Sequence, residues 1–276
     1  VNLQNKFRWT TSFNIAFNKN KVTSLGNLNE FFTGHKDVQI IQGSYPFKIK
    51  VGVPIGSFYG YVEDGIFQNQ EELDAIIYSG KQLGGLRYKD LNKDNVINQD
   101  DRTFIGNAFP DFIGGFDNEF QYKNFDFGLF FSFVYGNDIL SSVKLNYLYL
   151  MPTQQNMLLE TYKNYWRGEG TSSEIPAPGP QNTASTKVVS SKLIEDGSYL
   201  RLRSATLGYT FSASNLNWIK RARVYLNGEN LFILTNYKYG YDPEVNTFGL
   251  DNINWGIDAG GYPRPRTFTI GVNLTF

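Results

Sequence analysis

Residues 90–101 read Asp90-Leu-Asn-Lys-Asp-Asn-Val-Ile-Asn-Gln-Asp-Asp101, with oxygen-bearing side chains at the first, third, fifth, ninth and twelfth places. That is the ligand spacing of an EF-hand loop: Asp90, Asn92 and Asp94 early, the carbonyl of Val96 seventh, Asn98 through water, Asp101 last. Calcium asks for several hard oxygens from a sharply turning backbone, which is why the acids come every second residue. Two departures stand out. The sixth place holds Asn95 instead of glycine, although asparagine tolerates the left-handed conformation better than most. The twelfth holds Asp101, shorter than the usual glutamate, and Asp100 competes for the role. No helical pattern flanks the loop, so the expectation is an isolated calcium clip that stiffens a long connection. The competing reading is a solvated Asp/Asn turn.

Other chemistry is thin. Cysteine is absent, which removes disulfides, zinc-thiolate sites and thiol nucleophiles together. A single histidine, His35, excludes multi-histidine metal sites and reads as a loop residue. Glu71, Glu72 and Asp74 read as a solvated helix face and not as a catalytic carboxylate pair. No glycine-rich phosphate loop precedes a helix, and no serine nucleophile elbow is present. With no acid, base and nucleophile to assemble, no catalytic residue is assigned and the chain reads as a non-enzyme. Lys plus Arg equals Asp plus Glu at 26 each, so nothing argues for nucleic acid or an anionic surface.

The elements that position these residues are strands. Phe268, Ile270, Val272, Leu274 and Phe276 share one face of residues 266–276, and Thr267, Thr269, Gly271, Asn273 and Thr275 share the other. The same alternation recurs near 7–17, 112–122, 125–136, 199–211 and 222–233. At 10–13 residues these strands exceed the usual ~5–6 of soluble sheets and approach the ~9–11 that cross a bilayer. Short turns (Tyr122-Lys-Asn124, and Ser212 to Arg221) alternate with long segments near 20–111, 137–198 and 235–265. A soluble sandwich has no reason for that rhythm; outer-membrane barrels do. The fold class expected is therefore all-β: a transmembrane antiparallel β-barrel segment. The alternative is a two-sheet soluble protein whose polar face meets water. No apolar run is long enough for a transmembrane helix, and Val1-Asn-Leu-Gln-Asn-Lys carries no signal-peptide pattern.

Six strands cannot close a spanning barrel, for which about eight is the minimum, and lipid does not tolerate open edges. The remainder of the barrel is expected elsewhere. Seven motifs carry a resemblance over nearly the whole chain. They are Val53-Pro-Ile-Gly-Ser-Phe-Tyr-Gly-Tyr-Val-Glu-Asp-Gly-Ile-Phe67, Arg87-Tyr-Lys-Asp-Leu-Asn-Lys-Asp94 and Asp101-Arg-Thr-Phe-Ile-Gly-Asn107. Phe109-Pro-Asp-Phe-Ile-Gly-Gly-Phe116, Tyr199-Leu-Arg-Leu-Arg203, Leu207-Gly-Tyr-Thr-Phe211 and Asn230-Leu-Phe232 follow in order. Together they resemble the C-terminal part of SusC-like (SusC/RagA) TonB-dependent transporters of Bacteroidetes.

The resemblance implies the last six or so strands of a 22-stranded barrel whose plug domain has no counterpart here. It implies active import of oligosaccharides or peptides across the outer membrane of a Gram-negative bacterium. The implied partners are the rest of the barrel with its plug, a SusD-like surface lipoprotein, the TonB complex acting through the plug, and outer-membrane lipid. With the last strand ending in the periplasm, all three long segments fall outside the cell. The terminal aromatic Phe276 is then read as an assembly signal. Trp166, Trp255, Tyr147, Tyr149, Tyr237, Tyr239 and Tyr241 lie in the outward segments, where packing of loops on one another is favoured over ligand stacking or an interfacial girdle; the substrate-binding residues stay unassigned. Pro176-Ala-Pro-Gly-Pro180 reads as a stiffened loop crest. Two other functions remain open: a passive or structural outer-membrane barrel protein such as a porin or secretion anchor, and a soluble calcium-stabilised glycan-binding module.

Overall fold

The computed structural model describes residues 2–3, 7–34, 45–148, 156–178, 188–212, 218–245 and 254–276. Six long strands, Phe7–Phe17, Phe112–Tyr122, Phe125–Tyr135, Tyr199–Ser212, Arg221–Thr235 and Thr267–Thr275, lie side by side in chain order, each antiparallel to its neighbour. A two-residue strand, Asn2–Leu3, adds to the first edge. We call the six the wall strands. The tight turn between the second and third holds Lys123 at φ 53°.

Register aligns the stripes across the sheet. Trp9 faces Phe120, Phe120 faces Phe127, Phe127 faces Leu207, Leu207 faces Leu226 and Leu226 faces Ile270. Directly opposed residues point to one side, so the apolar stripes fuse into a continuous apolar face. Among the described residues nothing covers it: Phe13, Phe268 and Ile270 are 64%, 68% and 77% exposed. The opposite face carries Ser12, Asn14, Asp117, Glu119, Asp126, Ser132, Thr206, Arg223, Asn227 and Thr269. Arg223 forms a charge pair with Asp126 across the intervening strand. Gly208 lies under that pair, where a Cβ would come 2.5 Å from the Asp126 oxygens and 2.6 Å from the Arg223 Nε.

One strand breaks parity. Phe130 pairs with Ser204 but Phe131 with Leu202, leaving Arg203 as an extra residue. Ser204 pairs with Glu229 but Leu202 with Phe232, so the fifth wall strand bulges as well, with Asn230 at φ 53°. The first bulge exchanges the faces of residues 199–203 relative to 204–211, which keeps Leu200 and Leu202 on the apolar side and turns Tyr199 and Arg201 inward.

The long connections are folded. The first supplies a four-stranded sheet of Glu30–Thr33, Phe47–Lys50, Ser57–Tyr61 and Arg102–Asn107, and a pair, Glu63–Ile66 with Leu86–Tyr88. A three-stranded sheet joins Asp138–Ser141 and Ile194–Asp196 of the second connection to Ile257–Asp258 of the third. One core unites all three: Phe47, Phe58, Leu86 and Tyr88 from the first, Leu140, Leu145 and Leu193 from the second, Ile257 from the third. The sequence reads as loops here because its apolar residues come in short, irregular bursts. The strands are of two to six residues, and their burial depends on partners far away in the chain. Among the described residues no helix is long and apolar enough to cross a membrane.

Candidate functional sites on the outer layer and at the mouth of the wall

The acidic loop of residues 90–101 folds around its own side chains. Asp90 accepts from the Lys93 amide at 2.6 Å and the Asn95 amide at 2.7 Å, one on each oxygen. Asn92 accepts from the Asp94 amide at 3.1 Å, and Asp94 from the Val96 amide at 2.8 Å. Lys93 and Asn95 take φ of 63° and 62°, so the sixth place is left-handed, the conformation that glycine supplies in an EF-hand. At the twelfth place Asp101 is fully buried and accepts from the Leu91 amide at 2.8 Å and the Asn98 amide at 2.9 Å. Asn98 caps the short 3-10 helix Gln99–Asp101, and Asp100 stays exposed. A carboxylate oxygen has a second lone pair, so these N–H contacts leave acceptor capacity on Asp90 and Asp101. Among the described residues no cluster of three or more His, Cys, Asp or Glu side chains is close enough to hold a metal. The other members of the expected six-member set are Asn92, Asn98 and the Val96 carbonyl.

The remaining candidates have ordinary roles. Glu71, Glu72 and Asp74 lie on or beside the short helix Gln70–Asp74, where Glu72 pairs with Arg87 at 3.1 Å. Trp166 packs on the outer core and its indole N–H donates to Gln68 at 3.1 Å. Tyr237 is buried and donates to Asp258, and burial with that hydrogen bond pushes its phenol far above the ordinary value. Tyr239 lies under the Lys144 ammonium, Trp255 stacks on Phe109, and Tyr241 is exposed. Phe276 stacks on Trp218 at 5.8 Å. His35, Tyr149 and Pro180 lie outside the described residues, as does the side chain of Tyr147.

Periodicity does not reveal the ion cluster where the fourth wall strand meets the third connection. Arg201, with only 4% of its side chain exposed, bonds Asp242 at 2.6 Å. Arg203 grips both oxygens of Glu244 and donates to Ser132 at 2.8 Å. Tyr199 also donates to Glu244, and Arg264 reaches it at 3.1 Å. Burial by itself would raise the Glu244 carboxyl; the Tyr199 and Arg203 donors outweigh that and hold it below the usual carboxylate range. The available signal was Arg201 and Arg203 in one strand, with Asp242-Pro-Glu244 downstream.

No family model matches the chain. It is 35% identical to TonB-dependent receptor P3 of Formosa agariphila, over 98% of this chain and 27% of the relative. It is 31% identical to TonB-dependent receptor SusC of Bacteroides thetaiotaomicron, over 98% of this chain and 24% of the relative. The whole chain superposes on the RagAB peptide transporter with a TM-score of 0.72 at 20% identity, covering 28% of that chain. The chain therefore spans about a quarter of the length of the relatives it matches. A one-sided apolar sheet, a folded layer built from its long connections, and sequence identity along the full chain agree: this protein is a segment of a SusC-like TonB-dependent receptor, built as all-β barrel wall.

Proposed function

We propose that the chain forms part of the wall and outer layer of an active outer-membrane importer that takes up oligosaccharides or peptides. The observation that carries this reading is the sheet: strands of 9–15 residues with an uncovered apolar face on one side and a polar face on the other. Lipid suits the first face and a filled or wet lumen the second. The residues on these faces are typical of a wall and offer no bond chemistry. The outer layer then faces the medium, where a SusD-like lipoprotein would close over it, while TonB acts from the periplasm through a plug. In the full-length parent, expressed in its own host, substrate uptake is expected to stop when the proton-motive force is collapsed or TonB is removed. Uptake that persists in both cases would assign a passive barrel instead. Extraction without detergent would overturn the membrane placement.

The 90–101 loop is, on this reading, a calcium clip in the outer layer, held by Asp90, Asn92, Asp94, the Val96 carbonyl, Asn98 and Asp101. The left-handed Asn95 supports it, since the backbone already makes the turn that calcium needs. Titrating calcium into the metal-stripped parent protein in a calorimeter should show one site that Asp94→Ala abolishes; absence of binding heat would remove the clip. Phe276, seated on Trp218, is assigned the assembly role. Phe276→Ala should lower surface levels of the parent, and unchanged levels would withdraw that role.

A further inference from the structure

Along most of its height the inward face of the wall is mainly polar, with Thr10, Ser12 and Asn14 on the first strand, Asp117 and Glu119 on the second, and Ser132 on the third, where Phe130 is a single apolar exception. At the outer end the pattern fails. Ala16, Ile113 and Val134 stand in register on three adjacent strands and face inward, and none of them offers a donor or an acceptor. A wall that only meets water or polar protein has no need of an apolar patch there. The patch floors a cavity of about 550 Å³ whose other side is built from the stacked Phe109 and Trp255 and from Glu244 and Arg264.

Two polar features give this cavity a chemical preference. The first is Arg264, which is 47% exposed and bonds Glu244 at 3.1 Å. Glu244 already accepts from Tyr199 and Arg203, so it stays paired if Arg264 turns to an incoming anion. The surrounding cluster holds three guanidinium groups, Arg201, Arg203 and Arg264, against the two carboxylates Asp242 and Glu244, an excess of one positive charge. The second is Asn137, which lines the cavity and whose buried side-chain oxygen has no hydrogen-bond partner among the described residues. An unpaired buried acceptor is costly, and a ligand N–H would satisfy it.

We propose that this mouth cavity is a subsite for the carboxyl end of a short apolar peptide. The apolar side chain lies on Ala16, Ile113, Val134 and Trp255, the carboxylate on Arg264, and an amide N–H on Asn137. A neutral glycan can stack a C–H face on Trp255 but gains nothing from the excess positive charge, so the charge is what favours a carboxylate-ended ligand. The proposal rests on the importer reading and narrows its substrate class.

The test uses the full-length parent protein in detergent, with trileucine and trileucine amide as probes in a calorimeter. Trileucine should bind. Amidation and Arg264→Gln should each weaken binding about tenfold, the scale of one lost charge-assisted hydrogen bond, and the two losses should not add. Ala16→Trp, which fills the cavity, should abolish binding while the barrel keeps its heat-resistant mobility on gels. Maltoheptaose is the comparison and should show no heat. Absence of trileucine binding, additive losses, or tighter binding of maltoheptaose would overturn the subsite. Ala16→Trp cells that retain TonB-dependent uptake of their growth substrate would overturn the subsite alone and leave the importer reading standing. Uptake independent of TonB would overturn the importer reading instead.

Discussion

At the scale of single residues, the cluster around Glu244 ties the third connection to the wall. Its carboxyl lies below the ordinary value when folded, so it contributes stability at pH above the ordinary carboxylate value of about 4.3. That contribution is lost as pH falls through the lower folded value. Between pH 7 and pH 3, the backbone amides around Glu244 in the parent protein should therefore lose protection from hydrogen exchange, after correction for the intrinsic rate at each pH, and Glu244→Gln should show that loss already at pH 7. Protection flat with pH in the unaltered protein would mean that the carboxylate does not hold the segment. Neither partner announces itself in the sequence: Arg201 and Arg203 are 41 positions from Asp242 and Glu244 respectively. Only the Arg203 bulge brings both arginines onto the inward side. The acidic loop is the opposite case, because its oxygen-bearing side chains sit within twelve residues and accept from backbone amides of the same loop.

At the scale of elements, the six alternating stretches become strands in nearly the places where periodicity puts them. A two-residue repeat sustained over ten residues has one structural solution when one face must be apolar. The bulges were not legible. Alternation in the fifth wall strand runs through Asn230 without a visible fault, and the extra residue there appears only against its neighbour's register. The outer layer was least legible of all, since its strands are short and borrow their burial from one another. Its core makes a direct prediction. Phe58, fully buried and stacked on Phe47 at 5.0 Å, should cost about 3–5 kcal/mol when changed to alanine. Limited proteolysis in urea should show the outer layer opening earlier while the wall strands stay protected. Joint loss of both protections would mean that the layer and the wall fold as one unit.

At the scale of the whole molecule, the sheet sorts substitutions by face. Ile270→Lys puts a charge on the apolar side and should destabilise the inserted parent barrel by about 2–4 kcal/mol near the middle of the bilayer. Asn227→Lys, on a neighbouring strand but facing inward, should be tolerated. Folding titrations into vesicles would measure both, and equal costs would refute the assignment of the faces.

The sequence by itself determined the strand faces outside the Arg203 bulge, the alternation of short and long connections, and the acidic loop. Each is written in neighbouring residues, where a period of two or a fixed spacing of polar side chains survives any tertiary arrangement. Only the tertiary structure decided that three distant connections share one core, that Arg201 and Arg203 meet Asp242 and Glu244, and that Ala16, Ile113 and Val134 form an apolar floor. Those facts depend on strand register. Ala16 and Val134 are far apart in the chain and come together because both pair against Ile113, a relation that no local pattern in either segment encodes.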